Sequence, residues 1–226
     1  MGNDDEKYKV CLIDGMHYDP FYPSGPTPLP ETVAYGLAHL CRYGGHVYRP
    51  YTVAEHCIWV AMHLACGGSD NILFEAGAHE LATGYFDWAR VFDYAGPVKA
   101  RLALLGLVHD APEGCGLVDV TGPVLRNVEM LEYKEAHKRC EAWLFDGWGI
   151  EKATVEEHKI VKTIDTAILG AELALRAPNA TAYYDNGDPV IPWLRLSLAR
   201  KHDLSRLGSK AIREAWTSAF HRLRRK

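Results

Sequence analysis

The chain has 226 residues, of which 48% are hydrophobic and 24% are charged, so it can bury a substantial core and one domain is expected. Its formal net charge of −4 provides no general attraction to nucleic acid or to a membrane surface, and we expect neither as a partner. No apolar run approaches the length that spans a bilayer, which excludes a transmembrane helix.

The cysteines and the first residues bear on the cellular compartment. The six cysteines form no CxxC pair and no regular framework of spacings, which favours reduced thiols. Of these, Cys57 and Cys140 are expected to be helical core residues. The opening segment MGNDDEKYK is acidic and polar, unlike a secretory signal. These features predict a soluble, cytoplasmic protein.

The first part of the chain is predicted to be extended and then helical. Residues 1–30 have few periodic apolar positions and end in the proline-rich FYPSGPTPLP, which predicts a loop-like lead-in. Apolar residues at helical spacing predict a helix over about 31–43, ended by Gly44 and Gly45.

A capping box then marks the start of a second helix. Thr52 and Glu55 supply a hydroxyl and, three residues later, a carboxylate, and the helix is predicted to run to about Cys66. Val53, Val60, Ala61 and Leu64 are predicted to face inward. Gly67 and Gly68 end this helix, and Ser69 to Gly96 is predicted to carry one or two short helices.

The second half of the chain is predicted to be helical apart from its loops. Pro97 opens an apolar helix, and Pro112 ends or kinks it just after His109 and Asp110. No strand pattern and no internal repeat is evident, so the predicted fold class is all-α, a compact bundle with irregular loop insertions. The remaining segments are helices over about 125–145 and 154–176, a loop over 177–192 and a last helix after Gly208, whose RLRRK end is expected to be solvated.

Four side chains on three predicted helices make a candidate metal site. His56 lies near the start of one helix, His109 and Asp110 end the apolar helix LALLGLVHD, and Asp165 lies among apolar neighbours in TIDTAILG. Facing helices of a bundle can converge on an ion. Two imidazoles and two carboxylates form a mixed ligand set for a borderline or hard divalent ion, and zinc, cobalt, manganese, nickel and iron all tolerate it.

The ordered motifs YTVAEH, LVHDAPE and TIDTAILGAE resemble the HD-domain metal-dependent phosphohydrolases. The chain is most similar to the branch of 5′-deoxynucleotidases and phage-encoded deoxynucleoside triphosphate hydrolases. The resemblance covers about residues 31–176 and implies a single HD domain over 1–226, with 1–30 as lead-in and 177–226 as a loop and C-terminal helix. It also implies one divalent metal ion on the four side chains. Related enzymes often form dimers or larger rings, which leaves a homo-oligomer open.

The same resemblance implies roles for four further residues. Glu113, in the pattern HDxxE, is expected to be the general acid or base. Asp119 matches a catalytic-loop aspartate of nucleotidase relatives, although an extra residue here separates it from Glu113. Arg42, in CRYGGH, is expected to hold phosphate through its guanidinium fork, the alternative being an arginine that interacts with a helix C-terminus. His46 either orients substrate or fills a turn.

The expected function is hydrolysis of a small-molecule deoxynucleotide, with a triphosphate such as dATP as the first candidate and a 5′-deoxymonophosphate as the alternative. Two hypotheses from other classes remain open. A di-iron HD oxygenase needs additional metal-bridging histidines, for which only His137 and His158 are available. A non-enzymatic nucleotide-sensing HD module needs no turnover.

Two further groups of residues have both a functional and a structural interpretation. His158 and Glu172 lie seven residues on either side of Asp165, where they either orient the ligands or form the polar seam of a helix. The aromatic residues Tyr85, Phe86 and Trp88 either stack on a nucleobase or pack in the core.

Overall fold

The computed structural model describes residues 9–47, 50–66, 88–93, 95–176 and 208–226. These residues form an all-α fold with one small β-ribbon. The helices are α1 (Pro30–His39), α2 (Val53–Cys66), α3 (Trp88–Asp93), α4 (Pro97–Val108), α5 (Gly122–Leu125), α6 (Leu131–Gly147), α7 (Val155–Arg176) and α8 (Gly208–Arg224). Shorter 3-10 turns cover Arg42–Gly45, Ala111–Cys115 and Val128–Met130. No helix in the described ranges is long and apolar enough to cross a bilayer.

Helix α2 lies at the centre of the bundle and has no exposed face. Every residue from Val53 to Cys66 is buried, whereas the sequence pattern predicted a single inward strip. The reason is that α2 is surrounded, with contacts to α1, α3, α4, α7 and α8. Its predicted N-cap is confirmed, since Thr52 Oγ1 accepts the backbone N–H of Glu55 at 3.2 Å. Polar side chains on α2 therefore have to find their partners inside the protein.

Helix α4 approaches α2 closely and delivers the HD pair beside it. A Cβ at Gly106 would lie 2.5 Å from Leu64 Cδ1, so glycine allows this spacing without a shift of the Leu64 side chain. The helix ends at the predicted place, ahead of Pro112, and His109 and Asp110 occupy the junction with the following 3-10 turn. The junction directs the side chains of His109 and Asp110 toward His56 on α2.

The turn over residues 111–115 rests directly on α1 through two glycines. A Cβ at Gly36 would lie 2.3 Å from the Gly114 carbonyl oxygen, and one at Gly114 would lie 2.6 Å from the Val33 carbonyl oxygen. Backbone therefore contacts backbone at this point. The contact fixes the position of Glu113, which the turn carries.

The lead-in contains structure that the sequence pattern did not predict. Strands β1 (Val10–Cys11) and β2 (His17–Tyr18) pair antiparallel, and the Tyr18 hydroxyl donates a hydrogen bond to the Cys115 carbonyl. Two-residue strands are too short to show the alternation by which strands are recognised. The ribbon thus helps to hold the turn that carries Glu113.

The boundaries of two later helices follow from local capping. The helix predicted over about 125–145 begins only at Leu131, because Asn127 caps a separate turn by accepting the N–H of Glu129 at 3.1 Å. Helix α7 begins where predicted, behind a reciprocal capping box. Its two hydrogen bonds join Thr154 Oγ1 to the Glu157 N–H at 3.2 Å and Glu157 Oε2 to the Thr154 N–H at 2.8 Å.

Helix α8 packs against α1, α2, α3 and α4. The Trp216 indole donates a hydrogen bond to the Leu107 carbonyl at 3.1 Å, two residues before the HD pair. The end of this helix is largely exposed, as expected, and is also anchored by two basic side chains. Arg222 Nη1 lies 2.8 Å from both carboxylate oxygens of Asp93, and Lys226 Nζ donates to the Asp93 carbonyl at 2.7 Å. The predictions made for residues 67–87 and 177–192 lie outside the described residues.

We predict that Gly36→Ala lowers the free energy of unfolding by about 1–3 kcal/mol, because the new methyl group overlaps the Gly114 carbonyl. Gly170→Ala is the matched control, since a Cβ there meets nothing within 4 Å on helix α7. It should be neutral or stabilising by up to about 1 kcal/mol. Denaturant unfolding of both variants measures the difference, and equal effects would contradict the packing argument.

Candidate metal centre

The structure brings together the four side chains that the sequence nominated. His56 Nε2 lies 3.0 Å from Asp165 Oδ1 and 3.8 Å from Asp110 Oδ2. His109 Nε2 lies 3.2 Å from Asp110 Oδ2 and 3.7 Å from Asp165 Oδ1. Each imidazole therefore faces both carboxylates, and the donor atoms from α2, from the end of α4 and from α7 form one cluster.

The other nitrogen of each imidazole is held by a buried acceptor. His56 Nδ1 donates to Glu172 Oε1 at 2.9 Å, and His109 Nδ1 donates to the Gly106 carbonyl at 2.8 Å. These bonds fix each ring and direct Nε2 toward the cluster. Orienting acceptors of this kind accompany most metal-binding histidines.

Glu172 is the hub of a buried network behind His56. It is completely buried and accepts hydrogen bonds from the hydroxyls of Tyr43, at 2.7 Å, and Tyr51. The sequence placed both Glu172 and His158 on the strip of Asp165, but only Glu172 contacts the site. His158 is exposed, and its imidazole makes no hydrogen bond or ion pair with any described residue.

Arg42 and Asp119 lie at the edge of the same centre. Arg42 is buried, with Nη1 3.4 Å from Asp110 Oδ2 and Nε 3.7 Å from Glu172 Oε2. Asp119 Oδ2 accepts the backbone N–H of Tyr43 at 3.3 Å, and Tyr43 adopts a left-handed conformation with φ of 59°. The His46 imidazole makes no hydrogen bond or ion pair in the described ranges, so the structure does not bring it into the centre.

Glu113 is a buried carboxyl group without a hydrogen-bond partner at Oε2 among the described residues. Burial raises its pKa well above the usual value, and the nearby charges of Asp110 and Asp119 raise it further. The protonated form of Glu113 is therefore favoured. Among the residues of the turn, it is the one suited to donate a proton.

The carboxyl groups of Asp110 and Asp165 have the opposite tendency and favour the ionised form. Burial alone would raise the pKa of Asp110 and of Asp165, but the adjacent imidazoles outweigh burial and hold both pKa values below the usual range. Burial likewise lowers the pKa of His109, yet the two carboxylates raise it overall, well above its ordinary value. The four groups thus stabilise one another as charged pairs.

The donor set fits a metal ion. Ligand atoms of His56, His109 and Asp165 lie within 4.8 Å of one another, as do those of Cys57, His109 and Asp110. Within the described part of the chain, the buried atom His109 Nε2 makes no hydrogen bond, although it faces carboxylate oxygens. A lone pair in that position requires either a proton or a cation. These buried groups can hold a metal ion.

Two residues beside the centre were not predicted from the sequence as part of it. Cys57, expected only in the core, also faces His109, and Lys162 Nζ lies 2.6 Å from Asp165 Oδ2. Lys162 had a detectable signal in its i,i+3 spacing to Asp165 on helix α7. Cys57 had none, because its contact is made between helices. Tyr85 and Phe86, and the side chain of Trp88, lie outside the described parts of the chain.

We predict that Asp165→Asn lowers the free energy of unfolding of the metal-free protein by about 3 kcal/mol at pH 7, because it removes one of the two carboxylates that face both imidazoles. Because the pKa of Asp165 is depressed in the folded protein, Asp165 stabilises the fold fully above the unfolded-state pKa of about 3.8. This stabilisation is lost as the pH falls below that value. The difference between variant and wild type should therefore shrink between pH 5 and about pH 3.

Urea unfolding at several pH values measures this effect. The exposed Asp146 supplies a matched control, since Asp146→Asn should change stability by no more than about 0.5 kcal/mol at any of these pH values. A variant-to-wild-type difference that stayed constant down to pH 3 would argue against a charged Asp165 in the folded protein.

Comparison with known proteins does not assign this chain to a family. A scan against models of protein families found no match, and a search of curated protein sequences found no significant match. Any function has therefore to be argued from the residues of the centre and from their geometry.

Proposed function

We propose that this protein is a metal-dependent phosphohydrolase of the HD type that acts on deoxynucleotides, with a deoxynucleoside triphosphate such as dATP as its first candidate substrate. The observation that carries the proposal is the convergence of His56, His109, Asp110 and Asp165, with Arg42 and Glu113 beside them. This arrangement combines a cation site, a phosphate-binding group and a proton donor within one centre.

The four converging side chains would hold a divalent cation. Such an ion supplies Lewis acidity toward a phosphoryl group and makes water more acidic. The chain contributes rigidity, because Glu172 and the Gly106 carbonyl fix both imidazoles before any ion arrives. A prearranged site keeps the cost of reorganisation low at the moment of reaction.

Arg42 would bind the phosphate oxygens. Its guanidinium group is planar and carries five N–H donors, of which Nη1 is close to Asp110 and Nε makes no hydrogen bond in the described structure. The buried carboxylates of Asp110 and Glu172 hold the group in place. Unused donors on a fixed guanidinium suit the bidentate recognition of phosphate.

Glu113 would deliver the proton that the reaction requires. When water adds to phosphorus and the bond to the leaving oxygen breaks, that oxygen must gain a proton. A buried carboxyl group with a raised pKa is protonated beforehand and can supply it. Asp119, 3.3 Å from the Tyr43 backbone nitrogen, is a second acidic group within reach of the same region.

The choice of substrate depends on the resemblance of the motifs to the HD phosphohydrolases and not on an observed pocket for the base. A triphosphate and a 5′-monophosphate present the same phosphoryl chemistry to the centre. The two differ in the leaving group and the product. Product identification therefore separates a triphosphohydrolase from a 5′-deoxynucleotidase.

The test is a panel of the four deoxynucleoside triphosphates and four monophosphates, assayed with added manganese, cobalt, zinc, nickel or iron. We expect metal-dependent release of tripolyphosphate from at least one triphosphate. Release of orthophosphate from monophosphates alone would indicate the nucleotidase instead. Asp110→Ala and EDTA should each abolish turnover, and activity that survived both would refute the metal-dependent mechanism.

Two other classes of protein would give different results in the same assay. Tight nucleotide binding without turnover under any metal would indicate a sensor module. Oxygen consumption by an iron-loaded protein, without phosphate release, would indicate an oxygenase.

We predict that Glu113→Gln lowers kcat by about 10²–10⁴-fold, because glutamine cannot transfer a proton. The wild-type rate should also decline at high pH as Glu113 ionises, and the variant should lose that decline. Glu129→Gln, at an exposed position on a neighbouring turn, is the matched control and should leave kcat and its pH profile unchanged. A variant with normal kcat would remove Glu113 from the mechanism.

A further inference from the structure

We propose that the nucleoside part of the substrate binds to a polar surface between helices α6 and α7, formed by His137, Glu141, His158 and Lys162 (the α6–α7 surface). The inference rests on the proposed function, because it places the part of a nucleotide that the cation and Arg42 would not hold. The ligand is an uncharged group with hydrogen-bond donors and acceptors, as a nucleobase and a deoxyribose are.

Helices α6 and α7 follow each other in the chain but pack against different neighbours. Helix α6 packs against the turn over residues 111–115, and α7 packs against α2 and α4. In the described part of the chain the two helices make little contact with each other. The polar side chains on their facing sides are therefore not covered by the opposite helix.

Polar residues follow the same spacing on both helices. His137 and Glu141 are four residues apart on α6, and His158 and Lys162 are four residues apart on α7, so each pair shares one helix face. The charge of Lys162 acts on His137, and the charge of His158 acts on Glu141. This is the pairing of two antiparallel helices, and it places the two pairs opposite each other.

The α6–α7 surface begins at the metal centre. A ring nitrogen of His137 lies within 4.8 Å of carboxylate oxygens of Asp110 and Glu113. Glu141 lies one helical turn further, about 6 Å along α6. The charge of His109 still acts on Glu141. A substrate whose phosphate lies at the centre can therefore reach Glu141 across its sugar.

Arg42 and the α6–α7 surface lie on opposite sides of Asp165 along helix α7. Arg42 Nε is 3.7 Å from Glu172 Oε2, and Glu172 lies seven residues after Asp165. His158 lies seven residues before Asp165. A nucleotide whose phosphate is held beside Arg42 can thus extend its nucleoside in the other direction, toward the α6–α7 surface.

The chemistry of the α6 pair suits a nucleoside better than a phosphate. Both side chains are half-buried, and neither the His137 imidazole nor the Glu141 carboxyl group makes a hydrogen bond or ion pair with any described residue. Burial lowers the pKa of His137 and raises the pKa of Glu141, so both groups favour their uncharged forms. Uncharged donors and acceptors pair with an uncharged polar ligand, whereas an acidic group opposes an anion.

The experiment is equilibrium dialysis of the metal-free, full-length protein against each of the four 2′-deoxynucleosides and, separately, against inorganic tripolyphosphate. We expect at least one nucleoside to bind at millimolar concentration. Glu141→Ala should weaken that binding about tenfold, the loss of one hydrogen bond, and leave the affinity for tripolyphosphate unchanged. Glu141→Gln, which keeps an uncharged donor and acceptor, should retain it. Glu135→Ala, which removes a partly exposed α6 carboxylate paired with Lys138, is the matched control and should change neither affinity.

A wild-type chain that binds none of the four nucleosides would overturn the inference. So would a Glu141→Ala variant that binds them normally, or one whose affinity for tripolyphosphate changes as much as its affinity for nucleoside. Circular dichroism checks the fold of each variant. Nucleoside binding that depends on Glu141, in a protein that hydrolyses no nucleotide, would support the α6–α7 surface and refute the proposed function. Hydrolysis with the same KM in Glu141→Ala and wild type would do the opposite.

Where hydrolysis is found, a kinetic measurement gives a second test. Glu141→Ala should raise KM for the nucleotide about tenfold and leave kcat unchanged, because Glu141 contacts the nucleoside and not the phosphoryl group. Glu141→Gln should stay close to wild type in both constants. A variant that lowered kcat at constant KM would place Glu141 in the chemical step and contradict its assignment to nucleoside binding.

Discussion

The placement of His56 within a helix that has no exposed face is the constraint on which the centre depends. Both of its ring nitrogens must be satisfied inside the protein, and a buried polar group left without a partner costs about 1–3 kcal/mol. Helix α7 supplies both partners, Asp165 on one side of the ring and Glu172 on the other. Since these two residues are seven positions apart on one face, satisfying His56 fixes both the rotation and the axial position of α7.

The helical parts of the fold were accessible from the sequence because they have strong local signals. Thr52 and Pro97 mark the starts of α2 and α4, and the apolar periodicity of residues 154–176 marks α7. Structural features that involve only two or three residues could not be predicted from the sequence. The β-ribbon is too short for periodicity, and the break before Leu131 depends on a single Asn127 side-chain bond. The complete burial of α2 depends on neighbours that are distant in sequence.

The candidate site likewise contains residues that could be predicted from the sequence and residues that could not. The four converging side chains could be nominated because each lies in a recognisable helical context, and Glu172 could be nominated by its spacing from Asp165. His137 could not be assigned to a partner, because its relation to Glu113 exists only once α6 packs against the turn. The pKa of Asp110 is lowered and that of Glu113 is raised, and this difference also arises from packing. Imidazoles face the first carboxyl group, while burial and like charge surround the second, so neighbours in sequence acquire opposite protonation preferences.

The hydrogen bond from Trp216 to the Leu107 carbonyl has a kinetic consequence. It joins residues 109 positions apart, and its acceptor lies two residues before His109. Contacts of such long sequence separation form slowly, since the loop between them must close first. During synthesis, the carbonyl at the end of α4 acquires this partner only after α8 has left the ribosome. The candidate metal centre should therefore be among the last regions to mature, and a nascent chain that lacks α8 would present its histidines and carboxylates before their scaffold is complete.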